Sequence, residues 1–171
     1  MHVRIGCGDD SILLDIPDGW VGNRVIRPLR VDPLRDPETA LYESVAHPLD
    51  SAPLVEKIPR AGLCIAVDPW EAPEATRFLL EKLLAWIRSL DLIPSSEIRI
   101  LEIAPFPREP EVGLSDWTFL NDYTVLEAEP GDSSHYVEQG TMSDGVPLLL
   151  HRDWVAAKSR LILSAVAPSS F

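Results

Sequence analysis

Between Leu63 and Ala104 the chain carries the pattern of a strand, a helix and a strand, and nothing else in it constrains the fold as strongly. Leu63-Cys64-Ile65-Ala66-Val67 is a continuous apolar run of strand length, suited to burial on both faces. Asp68 to Pro73 reads as a loop. Ala75, Phe78, Leu79, Leu83, Trp86, Ile87 and Leu90 then recur at helical spacing through about Leu92, with Glu74, Arg77, Glu81, Lys82 and Arg88 filling much of the opposite face. Pro73 stands where a helix begins and Pro94 beyond its end. Ile98 to Ala104 is a second strand. This βαβ unit predicts parallel strands joined by a right-handed crossover.

The flanking segments are shorter, as 16 prolines against 9 glycines demand. Val3-Arg4-Ile5 and Ile12 to Ile16 read as a hairpin around Gly6 to Asp10, ended by Pro17-Asp18-Gly19. Arg24 to Arg27 is a candidate third strand. Asp36 and Pro37 open a short helix whose Ala40, Leu41, Ser44 and Val45 share a face; a helical turn is expected at Leu54 to Lys57. Pro105 to Pro110 is a stiff loop, Leu114 to Leu120 a short helix, and Tyr123 to Glu127 a strand. Tyr136 to Gly140 and Val146 to Leu150 form a hairpin, Asp153 to Ala157 a short helix, and Leu161 to Val166 a last buried strand. The expected architecture is a single α/β domain: a mostly parallel sheet with βαβ units and helices on its faces, plus an N-terminal β-hairpin.

Composition narrows the function classes. With 15 basic and 27 acidic residues the net charge is −12, which disfavours phosphate-backbone binding and excludes nucleic acid as the expected partner. At 46% hydrophobic the chain is no disordered acidic tail. No apolar run is long enough to span a membrane, Met1 to Gly6 holds no apolar leader, and Cys7 and Cys64 are too few for a disulfide framework, so a cytoplasmic protein is expected.

In an open α/β sheet ligands bind outside the carboxyl ends of the strands. That places any site on Asp68 to Pro73, Pro105 to Pro110 and Ala167 to Phe171. Asp68 and Glu71 are candidate acids or ligand-binding groups, and Arg108 a candidate anchor for a carboxylate or phosphate. An Asp after a buried strand more often caps a turn, however, and an Arg beside Glu109 and Glu111 more often pairs with them. His2, His47, His135 and His151 stand in no metal-binding pattern and read as surface or satisfied groups. Cys64, inside an apolar run, reads as inert core. Gly6-Cys7-Gly8 opens like a dinucleotide fingerprint, but Ser11 stands at the third glycine and no helix follows. Trp70 either lines a pocket or covers the start of the central helix, the second being favoured.

The order of these pieces, with Gly140 to Pro147 and Val166-Ala167-Pro168-Ser169-Ser170-Phe171 after them, resembles the N-terminal domain of the nickel-dependent lactate racemase (LarA-like) family across nearly all of residues 1–171, the family's C-terminal domain being absent. In that family the first strand ends in V-D-D-x-T-R-P; here the stretch is Val67-Asp68-Pro69-Trp70-Glu71-Ala72-Pro73, with Pro69 at the second Asp and Ala72 at the substrate-gripping Arg. The family's I-A-T-G-T-H-R-P becomes Ile103-Ala104-Pro105-Phe106-Pro107-Arg108-Glu109-Pro110, so Arg108 stands at a catalytic His. The family's V-E-P-H-x-F becomes Val166 to Phe171, with Ser169 at the second catalytic His.

The resemblance implies an isomerase fold whose two histidines exchange a proton at a substrate carbon while a nickel-pincer nucleotide takes hydride. Arg, with a pKa above about 12, is no general base near neutrality. Ser169 has no adjacent base to activate it, and Ala72 cannot bind a carboxylate. The family's nickel and pincer ligands lie beyond Phe171, so no cofactor and no metal are expected on this chain. The reading is a racemase-like domain that is non-catalytic alone and acts as a binding or interaction module. Its partner would be a second copy or a separate C-terminal-domain protein. The alternative is half of a split 2-hydroxy acid racemase or epimerase, with Asp68, Glu71 and Arg108 lining the cleft and a second chain carrying the nickel-pincer group.

Overall fold

The computed structural model describes residues 2–7, 10–17, 19, 32–70, 72–103, 113–129 and 131–166. The chain divides into two compact units, Met1–Pro33 and Leu34–Phe171. In the first, β1 (His2–Cys7) and β2 (Asp10–Asp15) pair antiparallel from His2↔Asp15 to Cys7↔Asp10. The strands thus run on through Gly6 and Cys7, where the sequence suggested a turn, because the antiparallel pairing continues across them. The candidate strand at Arg24 to Arg27 lies outside the described residues.

The second unit holds the parallel sheet. After α1 (Pro37–Ala46) and the single turn α2 (Leu54–Lys57), β3 (Leu63–Val67) leads through α3 (Pro73–Ser89) to β4 (Ile98–Ile103). Two 3-10 turns, Leu114–Asp116 and Thr118–Leu120, precede β5 (Thr124–Ala128), replacing the one short helix expected there. The hairpin of β6 (Tyr136–Thr141) and β7 (Pro147–His151) runs into α4 (Arg152–Ala156), and β8 (Ser159–Leu163) closes the order. The four central strands lie in the order β5-β4-β3-β8, every neighbouring pair parallel. The α/β class, the parallel βαβ unit, the helices on the sheet and the N-terminal hairpin are as the sequence predicts.

Local chemistry explains the boundaries. Asp36 caps α1 by accepting from the Thr39 backbone N–H at 3.0 Å and from its hydroxyl at 2.8 Å. Pro73 fixes the backbone at the first turn of α3, and the helix ends where Asp91 turns left-handed at φ 51°. Gly62 takes φ +78°, a conformation that favours glycine, and its carbonyl accepts from the N–H groups of Lys158 and Ser159, which starts β8 beside β3.

One face of the sheet carries the core. Leu63, Ile65 and Val67 of β3 and Ile98 and Ile100 of β4 pack with Leu80, Leu83, Leu84 and Ile87 of α3. Trp117, stacked on Phe119 at 5.9 Å, and Leu120 close the same cluster. The last strand departs from expectation: β8 alternates, with Leu161 and Leu163 half-buried against the core and Ile162 67% exposed on the other face. β8 is an edge strand, and its second face has less cover than that of β3. No described helix is long and apolar enough to cross a membrane.

Candidate functional site

The strand order fixes where a site can form. From β3 the chain steps to β4 on one side and, after β5, returns to β8 on the other, so the connections diverge between β3 and β8. The crevice outside the carboxyl ends at such a point is the usual ligand position of an open parallel sheet. Here the Asp68 N–H donates to the Leu163 carbonyl at 2.9 Å, joining the two strand ends.

Three groups gather around that junction. The Asp68 carboxylate accepts from the Trp70 backbone N–H at 3.1 Å, forming a tight side-chain turn. The Thr76 hydroxyl, buried in the first turn of α3, donates to the Asp68 carbonyl at 3.4 Å. The Trp70 indole N–H reaches across to the Ile103 carbonyl at 2.8 Å. Trp70 therefore bridges the carboxyl ends of β3 and β4, doing more than cover the start of α3. Ala72, at the N-cap of α3, offers no side-chain hydrogen bond to it. Glu71, Arg108 and Ser169 lie outside the described residues, so only Asp68 of the predicted site residues is placed.

Two further polar side chains, Glu102 and His151, are buried, and the sequence singles out neither as a site residue. Glu102, 1% exposed, stands at the carboxyl end of β4 on the core face, where Oε2 accepts from the Leu114 N–H at 3.0 Å. The sequence leads one to expect His151 as a surface or satisfied group. Instead it is 4% exposed at the joint of β7 and α4, and its Nε2 has no hydrogen-bond partner. Its burial depends on His135 and Tyr136, whose rings lie 5.8 Å away. No local sequence signal encodes that contact.

Three concavities are formed by described residues. An apolar cavity of about 600 Å³ opens between α1 and α3, lined by Leu34, Leu41, Phe78 and Leu79 among others. A second, of about 370 Å³, lies between the other face of the sheet and the β6–β7 hairpin. Ala66 sits opposite Leu101 on one side and Ile162 on the other, so a small side chain between two large ones shapes its floor. A polar one of about 270 Å³ at the amino end of β3 holds Arg99 paired with Asp153. Cys64 faces it, with a thiol pushed up to about 11, first by burial and then by the Asp153 charge.

Nickel sites draw on clustered imidazole, thiolate or carboxylate donors. Among the described residues no three such side chains come together.

No protein-family model matches the chain, and no curated protein matches it. Among solved structures it is similar to the lactate racemase apoprotein from Thermoanaerobacterium thermosaccharolyticum, at 14% identity with a TM-score of 0.57 over 95% of this chain. What the two share is a fold. The chain spans 38% of the length of that lactate racemase, and the match accounts for the α/β architecture at that level.

Proposed function

We propose that this chain is a lactate racemase-like N-terminal domain that serves as a binding and interaction module and does not catalyse on its own. The observation that carries the reading is the apolar border of the strand ends. Ile103 is 39% and Ile162 67% exposed, and both line one groove with Leu149, itself 49% exposed. Contiguous apolar exposure of this kind marks interaction surfaces on soluble folds. The lost polar groups support it further: Ala72, Arg108 and Ser169 stand where the family motifs keep a carboxylate-binding Arg and two histidines.

Sedimentation velocity tests this on the chain alone and on the chain co-expressed with the products of its neighbouring genes. A defined complex that Ile162→Lys disrupts is the expected result. A monomer in both preparations contradicts the reading. The split-enzyme alternative predicts instead that the co-expressed complex carries nickel and exchanges the α-hydrogen of a 2-hydroxy acid.

A further inference from the structure

We propose that the joint between the β6–β7 hairpin and α4 is an acid-operated latch, in which protonation of His151 releases the hairpin from α4 and opens the apolar face of the sheet beneath it. The argument begins with what holds each part. α4 is tied to the sheet at both ends. Asp153 pairs with Arg99 of β4, and Arg160 of β8 donates to the carbonyls of Trp154 at 2.5 Å and Val155 at 2.6 Å. The hairpin instead meets the sheet across the cavity of about 370 Å³, over Ala66, Leu101, Ile103 and Ala128. At its joint with α4 lie the His151 ring, which caps α4 and meets Tyr136 of β6, and the bond from the Arg152 guanidinium to the carbonyl of Ser134 in the turn just before β6.

His151 is the last residue of β7 and the N-cap of α4. Its Nδ1 accepts from the Asp153 N–H at 3.3 Å, satisfying an orphan donor of the first turn, so the neutral ring carries its proton on Nε2. A second proton must therefore go on Nδ1. That turns the capping acceptor into a donor and sets a positive charge at the positive end of α4. Of the groups facing the ring, His135 and Arg152 oppose the charge. His135 stacks on it at 5.8 Å, Tyr136 meets it edge-on at 5.8 Å, and Arg152 adjoins it. Asp132 lies 3.4 Å from His135 and also interacts with Arg152. The one favourable carboxylate, Asp153 at 3.6 Å, is already shared with Arg99. Burial, helped by His135 and Arg152 and opposed by Asp153, holds the imidazole below its ordinary 6.5. The unfolded joint thus binds the proton more readily than the folded one. The latch is closed above 6.5 and loosens as the pH falls toward the lowered value.

The test is amide hydrogen exchange on the full chain at about pH 7.5 and about pH 5, corrected for intrinsic rates. Expected is a loss of protection of about tenfold in residues 136–151, with β3 and β4 unchanged. His151→Asn keeps a capping oxygen but cannot titrate, and should remove the acid response. An equal response in His151→Asn, or none in the wild-type chain, overturns the latch. Should the variant fail to fold, NMR titration of the wild-type His151 ring decides: its midpoint must coincide with loss of hairpin protection, and separate midpoints overturn the proposal.

Discussion

The indole N–H of Trp70 donates to the carbonyl of Ile103 at 2.8 Å, joining the loop after β3 to the last residue of β4. A neutral hydrogen bond of this kind contributes about 1 kcal/mol net. Trp70→Phe keeps an aromatic ring and deletes the donor, so it should destabilise the chain by about 1 kcal/mol in urea unfolding. An unchanged midpoint would show that the bridge adds nothing to stability.

The two faces of the sheet should answer differently to truncation. Leu84 is 1% exposed in the core, and Leu84→Ala should cost about 2–5 kcal/mol. Ile162 is 67% exposed on the other face, and Ile162→Ala should cost less than about 0.5 kcal/mol in the isolated chain. Similar losses at both positions would contradict the assignment of the core to one face.

Asp36 predicts a pH dependence. The Thr39 backbone N–H and then its hydroxyl stabilise the ionised carboxyl and hold it below its ordinary 3.8. The folded state therefore releases this proton more readily than the unfolded one. The contribution is fully present above 3.8 and is lost as the pH falls through the lowered value. Asp36→Asn caps without titrating. Thermal melts should place the wild type above Asp36→Asn at neutral pH, with the gap closing in acid; a gap independent of pH would refute this.

Cys64 is buried in β3 with its thiol pushed up to about 11. Alkylation needs a thiolate. Peptide mass spectrometry after iodoacetamide treatment at neutral pH should find Cys64 unmodified in native protein and modified in denaturant. Rapid native labelling would contradict its burial.

The central unit was legible because its signals are local. Apolar continuity marks Leu63 to Val67, a 3.6-residue period marks α3, and prolines punctuate both. What escaped depended on pairing between distant segments. Leu161 to Val166 reads as a buried strand, but β8 joins beside β3 as an edge, so Ile162 is left open. His151 is buried where His135, just before the hairpin, and Tyr136 of β6 come against its ring. Of the site, Asp68 was found from its place after a buried strand. Its bond to the Trp70 N–H is the turn-capping role expected of an Asp in that place, whereas the reach of Trp70 to Ile103 depends on the register of β3 on β4, which the sequence does not display.

The most direct measurement is proton exchange at the substrate carbon. The purified chain is incubated with D-lactate and, separately, L-lactate in deuterated buffer, and the α-hydrogen signal is followed by NMR. A binding module without its own proton-transfer groups predicts loss no faster than in buffer. Accelerated loss from either enantiomer that Arg108→Ala abolishes would contradict the account.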